Sequence, residues 1–145
     1  MNPHHPAVGS SPRTRQRLNN RPVSARMKTI SAVPFLLVAA LVVHVSGSFS
    51  GTALWNALPV GMGFGALQAG LSSRRAMAAG CIAFAVSITL LVALFHLAWL
   101  FDWGGTATGS STSAVAFMFV PLWAVLFAGI IGLVAWGVGK AVWRG

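Results

Sequence analysis

Four apolar segments, at about residues 30–47, 52–71, 76–101 and 114–139, leave this chain almost no polar side chains with which to cover a water-facing surface. A globular exterior takes about a quarter of its residues as charged groups. Here charged residues are 8% of 145 and hydrophobic residues 56%. Long uninterrupted apolar runs in such a chain point to lipid as the solvent, because about 20 apolar residues in a helix, at about 1.5 Å each, span a bilayer core. The expected fold class is therefore an all-α membrane protein of four transmembrane helices in two helical hairpins. The second segment is the weakest, since Asn56, Gln68 and four glycines dilute it.

The ten basic residues sort the ends of those segments. Arg13, Arg15, Arg17, Arg21, Arg26 and Lys28 precede the first, Arg74 and Arg75 lie between the second and third, and Lys140 and Arg144 follow the fourth. Lys and Arg in short loops stay on the cytoplasmic side. Four spans place all ten there, and neither outer loop carries one. The expected location is a bacterial inner membrane, multi-pass, with both termini cytoplasmic; the Ala/Gly/Leu/Val richness and the preference for Arg over Lys agree with it. A competing reading takes Met27-Lys28 and the apolar run to Val43 as a signal peptide cleaved near Gly47, leaving three spans. The residues before that site, His44 to Gly47, offer no Ala-x-Ala, and a long basic tail precedes the run, so four spans are preferred.

Residues 1–28 form a second region. Four prolines (Pro3, Pro6, Pro12, Pro22) and little apolar periodicity give the segment nothing to bury against its ordering entropy, which predicts a disordered basic cytoplasmic tail. The six cations from Arg13 to Lys28 are expected to contact anionic lipid at about 1 kcal/mol each near the surface. Nucleic acid is not an expected partner. Residues 29–145 are the transmembrane domain.

Polar residues within the apolar segments are few. Asp102, the single acidic residue, falls between Trp99 and Trp103 at the outer end of the third segment, where tryptophan favours the lipid–water boundary; it is expected to face water. His96 lies six residues earlier, about 9 Å deeper and about 240° around the helix, so the two are not a pair. His44, near the outer end of the first segment, and Asn56, entering the second from the same side, fall at similar depth. His44, Asn56 and His96 thus make a candidate intramembrane polar cluster. Its plainest role is hydrogen bonding among the imidazoles, Ser46, Thr52, Asn56 or water. A sharper one is axial ligation of haem by His44 and His96, although no outer-loop cation stands ready for haem propionates. A third is a polar pocket of a small-solute transporter. The hairpins also repeat weakly: each has a histidine late in its first segment and a proline, Pro59 or Pro121, in its second, which would make His44 and His96 counterparts.

Small residues four apart make flat stripes along which helices approach. Gly61 with Gly65, Gly70 with Ala66, Gly80 with Ala76, Gly132 with Ala128 and Gly139 with Ala135 are the candidate packing positions, serving internal contacts or self-association. Cys81, the lone cysteine, excludes an internal disulfide and is expected to be a small packing residue. The sequence contains no P-loop, Gly-x-Ser-x-Gly, His-Glu-x-x-His or paired carboxylates. No catalytic residue, metal site or resident cofactor is expected. The leading functional expectation is a small non-enzymatic integral membrane protein that acts by packing, as an accessory or assembly component or a homo-oligomer, with a haem-binding electron-transfer subunit and a transporter as alternatives.

Overall fold

The computed structural model describes residues 29–47, 50–109 and 115–143. Among them the protein is all-helical: α1 (Val33–Val45), α2 (Gly51–Leu71), α3 (Arg75–Leu100) and α4 (Ala116–Val142), with one 3₁₀ turn at Trp103–Gly105. The expected tail, with Arg13, Arg15, Arg17, Arg21, Arg26 and Lys28, lies outside the described residues.

The helix ends are written in the sequence. α1 carries Pro34 in its first turn, where a missing N–H removes no helical bond. It stops at Gly47, which takes φ +75°, the left-handed conformation that costs glycine least. Ser50 caps α2, its hydroxyl accepting from the Ala53 N–H at 3.2 Å. At the other end the Ser72 and Ser73 hydroxyls donate to the Gln68 and Ala69 carbonyls at 3.4 and 2.6 Å, supplementing the backbone bonds of the last turn. Arg74 is extended (φ −66°, ψ 152°), so three residues suffice to reverse the chain into α3.

The result is an up-and-down bundle. Gln68 late in α2 donates to Ser31 before α1 at 3.2 Å, and Gly70 lies against Cys81 early in α3. Gly80 early in α3 lies against Gly132 and Trp136 late in α4. The Trp55 indole N–H near the start of α2 donates to the Met118 carbonyl at the start of α4 at 3.0 Å. The α1–α2 connection, the end of α3 and the start of α4 therefore share one end, and Arg74, Arg75 and Lys140 share the other. α3 and α4 make the most extensive contact, followed by α2 and α3.

The interior is built from small residues and a few medium ones. Val42, Val60, Ala85, Ile88, Val92, Ala124 and Ala128 form one buried cluster with Phe35. Large apolar side chains point outward instead: Leu36, Leu54 and Leu133 are 67%, 69% and 68% exposed. Two helices are long and apolar enough to cross a membrane, α3 with 26 residues and α4 with 27, each with a mean hydropathy of 2.4 over its best window. α1, at 13 residues, is about 20 Å long against the roughly 30 Å of a hydrocarbon core. It begins later than the expected residue 30 because the chain turns at Ser31 and Ala32.

Candidate functional site

The polar groups that the bundle buries lie at the end shared by the α1–α2 connection. Asn56 is on the second turn of α2, about 8 Å in from Gly51, and His96 is one turn from the end of α3, about 6 Å in from Leu100. Both side chains are shut off from the surface, at 1% and 0% exposure. Each is inward for the same reason: Asn56 falls in line with the buried Ala53, Val60, Gly63 and Gly70 of α2, beside the buried Pro59, and His96 with the buried Ala85, Ile88 and Val92 of α3, at helical spacings of three, four or seven.

Each buried polar side chain spends one group on its own helix. The Asn56 Nδ2 donates to the Thr52 carbonyl at 2.9 Å, and His96 Nδ1 lies 2.8 Å from the Val92 carbonyl. A carbonyl can only accept, so Nδ1 carries the hydrogen and, in the neutral ring, Nε2 keeps a lone pair. Asn56 Oδ1 and His96 Nε2 are buried without a hydrogen-bond partner, as is Ser46 Oγ at the end of α1. Aromatic edges surround the imidazole. Phe95 and Phe117 meet it at centroid distances of 5.5 and 5.6 Å, both near-perpendicular, and Trp99 closes on Phe117 at 4.4 Å. The bonds expected between helices, from imidazole to Ser46 or Asn56, are replaced by bonds back to each residue's own helix.

His44 does not join this group. Its residue is exposed on the outside of α1, while His96 is fully enclosed, so the two imidazoles do not face one another across the interior. This removes the geometry on which axial haem ligation by His44 and His96 rested. It also breaks the expected equivalence of the two hairpins at their histidines. The prolines keep theirs: Pro59 and Pro121 both sit inside the second helix of their hairpins, and both are buried. Among the described residues no three His, Cys, Asp or Glu side chains come together as a metal site.

Asp102 has more to do than face water. It adopts the left-handed conformation at φ 50°, one of the few roles in which a short polar side chain tolerates positive φ. Its Oδ1 accepts from the Ala107 and Thr108 N–H groups at 2.7 and 3.1 Å, and its Oδ2 accepts from the Thr108 hydroxyl. The Thr108 hydroxyl first, and then the Ala107 N–H, hold the carboxyl below the usual carboxylate range. The single carboxylate thus folds the segment after α3 back upon itself.

The glycines divide. A Cβ at Gly70, Gly80 or Gly132 would come within 3.0 Å of a neighbouring helix, and one at Gly139 within 2.8 Å of the Trp143 ring and 3.2 Å of the Ala76 Cα. One at Gly61 or Gly65 would meet nothing within 4 Å among the described residues; both positions are exposed, with Gly61 at the edge of a groove beside α1. Gly63, which the four-residue spacing passes over, is the close approach on α2, where an added Cβ would lie 2.7 Å from Ile88 and 3.1 Å from Phe35. The signal that finds it is Asn56: counting inward-facing positions from that polar anchor reaches Gly63 and Gly70 and skips Gly61 and Gly65. Cys81 is half-buried and free. No family model, curated protein or solved structure matches this chain.

Proposed function

We propose that the chain is a multi-pass integral membrane protein of four spans, with Arg74, Arg75 and Lys140 on the cytoplasmic side and Asp102 outside, in a bacterial inner membrane. It works by packing rather than by catalysis, as an accessory, assembly or self-associating component. The observation that carries this reading is the inverted distribution of side chains. Asn56, His96 and mostly small residues are inside, with Val42, Val60, Ile88, Val92, Phe35 and Phe117 among them, while most of the large apolar side chains are outside. Only 22% and 28% of the most apolar windows of α3 and α4 are buried within the protein, whereas the core helix of a soluble domain would be enclosed. Water penalises such an exterior and lipid does not. The short α1 and the diluted α2 are carried across by their contacts with α3 and α4, and Asn56 of α2 is turned inward.

The outward Gly61–Gly65 stripe supports self-association as the mode of packing, since small residues on a lipid-facing surface let a second helix approach. Reporter fusions test the topology: one after Gly145 and one at Ser73 should report the cytoplasm, and one after Gly109 the periplasm. A periplasmic signal after Gly145, or release of the protein by alkaline carbonate without detergent, would remove the reading. Mass measurement in mild detergent tests the assembly, with particles of more than one 15.1 kDa chain expected and Gly61→Leu/Gly65→Leu reducing them to monomer.

A further inference from the structure

An open groove of about 450 Å³ lies between α2, α3 and α4 toward the Arg74, Arg75 and Lys140 end. Its walls are apolar and include Ala66, Cys81, Phe84, Gly129, Leu133 and Trp136. The absence of a side chain at Gly129, where an added Cβ would meet nothing within 4 Å, helps keep the groove empty. Along α3 and α4 it runs for about seven residues, or about 10 Å.

The rim of this groove is cationic. Lys140 Nζ stands 4.5 Å from the centre of the Trp136 ring, and Trp136 is a wall of the groove. A Cβ at Gly139 would lie 3.2 Å from the Ala76 Cα, so the backbones of α3 and α4 touch there. Arg75 precedes Ala76 and Lys140 follows Gly139, so the two cations flank one backbone contact, with Arg74 beside them. Arg74 and Arg75 are exposed. The single acidic side chain of the chain, Asp102, is beyond the opposite end of α3, about 40 Å away by helix rise. No acidic side chain therefore neutralises this rim.

We propose that the groove takes an acyl chain of one anionic phospholipid, whose phosphate is met by Arg75 and Lys140 with Arg74 beside them. The proposal rests on the membrane reading above. Charge complementarity selects the headgroup. Size selects the chain: a helix is at least about 10 Å across with its side chains, so a groove of about 450 Å³ admits roughly one turn of helix, while a flexible hydrocarbon chain follows its length. Lysine and arginine near a membrane surface each favour anionic over neutral lipid.

Full-length protein in mild detergent should be titrated with phosphatidylglycerol and with phosphatidylcholine of the same acyl chains, reading bound lipid by native mass spectrometry and thermal unfolding. Two cations predict a preference for phosphatidylglycerol of about tenfold or more. In the Arg75→Gln/Lys140→Gln variant the preference should fall below about twofold. In Gly129→Leu, which fills the groove without meeting a neighbour at Cβ, both lipids should bind about tenfold more weakly, with helicity by circular dichroism unchanged. Equal binding of the two lipids overturns the proposal. So does a preference that survives Arg75→Gln/Lys140→Gln, which would move the headgroup to the Arg13–Lys28 segment, or a binding strength unmoved by Gly129→Leu. A concentration-dependent dimer that lipid does not displace and Gly129→Leu abolishes would make a second copy the occupant. Protein that stays in carbonate-washed membranes yet shows no lipid preference retains the membrane reading and loses this one.

Discussion

Gly80 and Gly132 pack reciprocally across α3 and α4. A Cβ on Gly80 would lie 3.0 Å from the Gly132 carbonyl oxygen, and one on Gly132 would lie 3.1 Å from the Gly80 carbonyl oxygen. Slightly nearer still are Trp136 Cβ, at 2.9 Å from the first, and Phe84 Cβ, at 3.0 Å from the second. None of these atoms is the loose end of a side chain, so relief requires the helices themselves to part. Gly80→Ala and Gly132→Ala should each destabilise the bundle by roughly 1–3 kcal/mol, the usual cost of overpacking. Gly129→Ala, three residues from Gly132, should cost nothing measurable. Thermal unfolding in detergent distinguishes the three, and equal losses at Gly129 and Gly132 would show that this contact does not set the result, since the better helix propensity of alanine would by itself raise stability.

The Trp55–Met118 bond ties α2 to α4 at the end opposite the cations. It is exposed at the side chain, and hydrogen bonds between membrane helices average about 0.6 kcal/mol. Trp55→Phe keeps the ring and deletes the donor. It should lower stability by about that amount and leave the helical content unchanged, as read by equilibrium unfolding in micelles. A loss of several kcal/mol would mean that the indole N–H has a larger role in positioning α4.

The segment after α3 should depend on acid in one direction only. Hydrogen bonds from Thr108 and Ala107 depress the Asp102 carboxyl, so the folded segment binds a proton less readily than the unfolded one. The stabilisation is then complete above the ordinary carboxylate value of roughly 4 and fades as pH falls through the lower, folded value. Between pH 5 and 8 the Ala107 and Thr108 amide signals should hold still in NMR spectra of micelle-bound protein. They should shift only below about pH 4, and Asp102→Ala should collapse them to loop-like positions at every pH. A midpoint above the ordinary carboxylate value would contradict the bonding.

Much of this architecture is legible in the residues. The apolar segments match the helices to within a few positions because each is bounded by a short-range signal: Gly47, Ser50, the Ser72–Arg74 turn, Asp102. Inward-facing sides were harder, since helices apolar all round carry no polar face to orient them. The four-residue glycine rule found Gly70, Gly80, Gly132 and Gly139, whose stripes coincide with the buried face. Gly61 and Gly65 lie on the other side of α2 from Asn56 and make no close approach there among the described residues. Depth along a helix is set by counting residues, so the sequence alone puts His44, Asn56 and His96 each near an end of its helix. Rotation about the axis is set by tertiary packing, and the sequence of α1 holds no polar anchor besides His44 to reveal that its imidazole points outward.

The buried acceptors of His96 and Asn56 make the sharpest test of what the interior holds. Each is unpartnered within the protein, and leaving a buried polar group unmet costs about 1–3 kcal/mol. An apolar side chain of similar volume removes that cost along with the group. His96→Leu should therefore change stability by less than about 1.5 kcal/mol, the range of volume-conserving swaps, while Asn56→Leu, which adds volume, should cost up to about 1–3 kcal/mol. His96→Ala opens a cavity between Phe95 and Phe117 and should cost roughly 2–5 kcal/mol. Unfolding measurements on the three variants separate the two terms. In ¹⁵N spectra of the wild-type protein the His96 Nε2 should resonate as a bare, pyridine-like nitrogen and Nδ1 as a protonated one, the tautomer fixed by the Val92 carbonyl. If His96→Leu loses as much as His96→Ala, the lone pair on Nε2 has a partner in the membrane, and a bound water or solute donating to it becomes the account of why a histidine stands there.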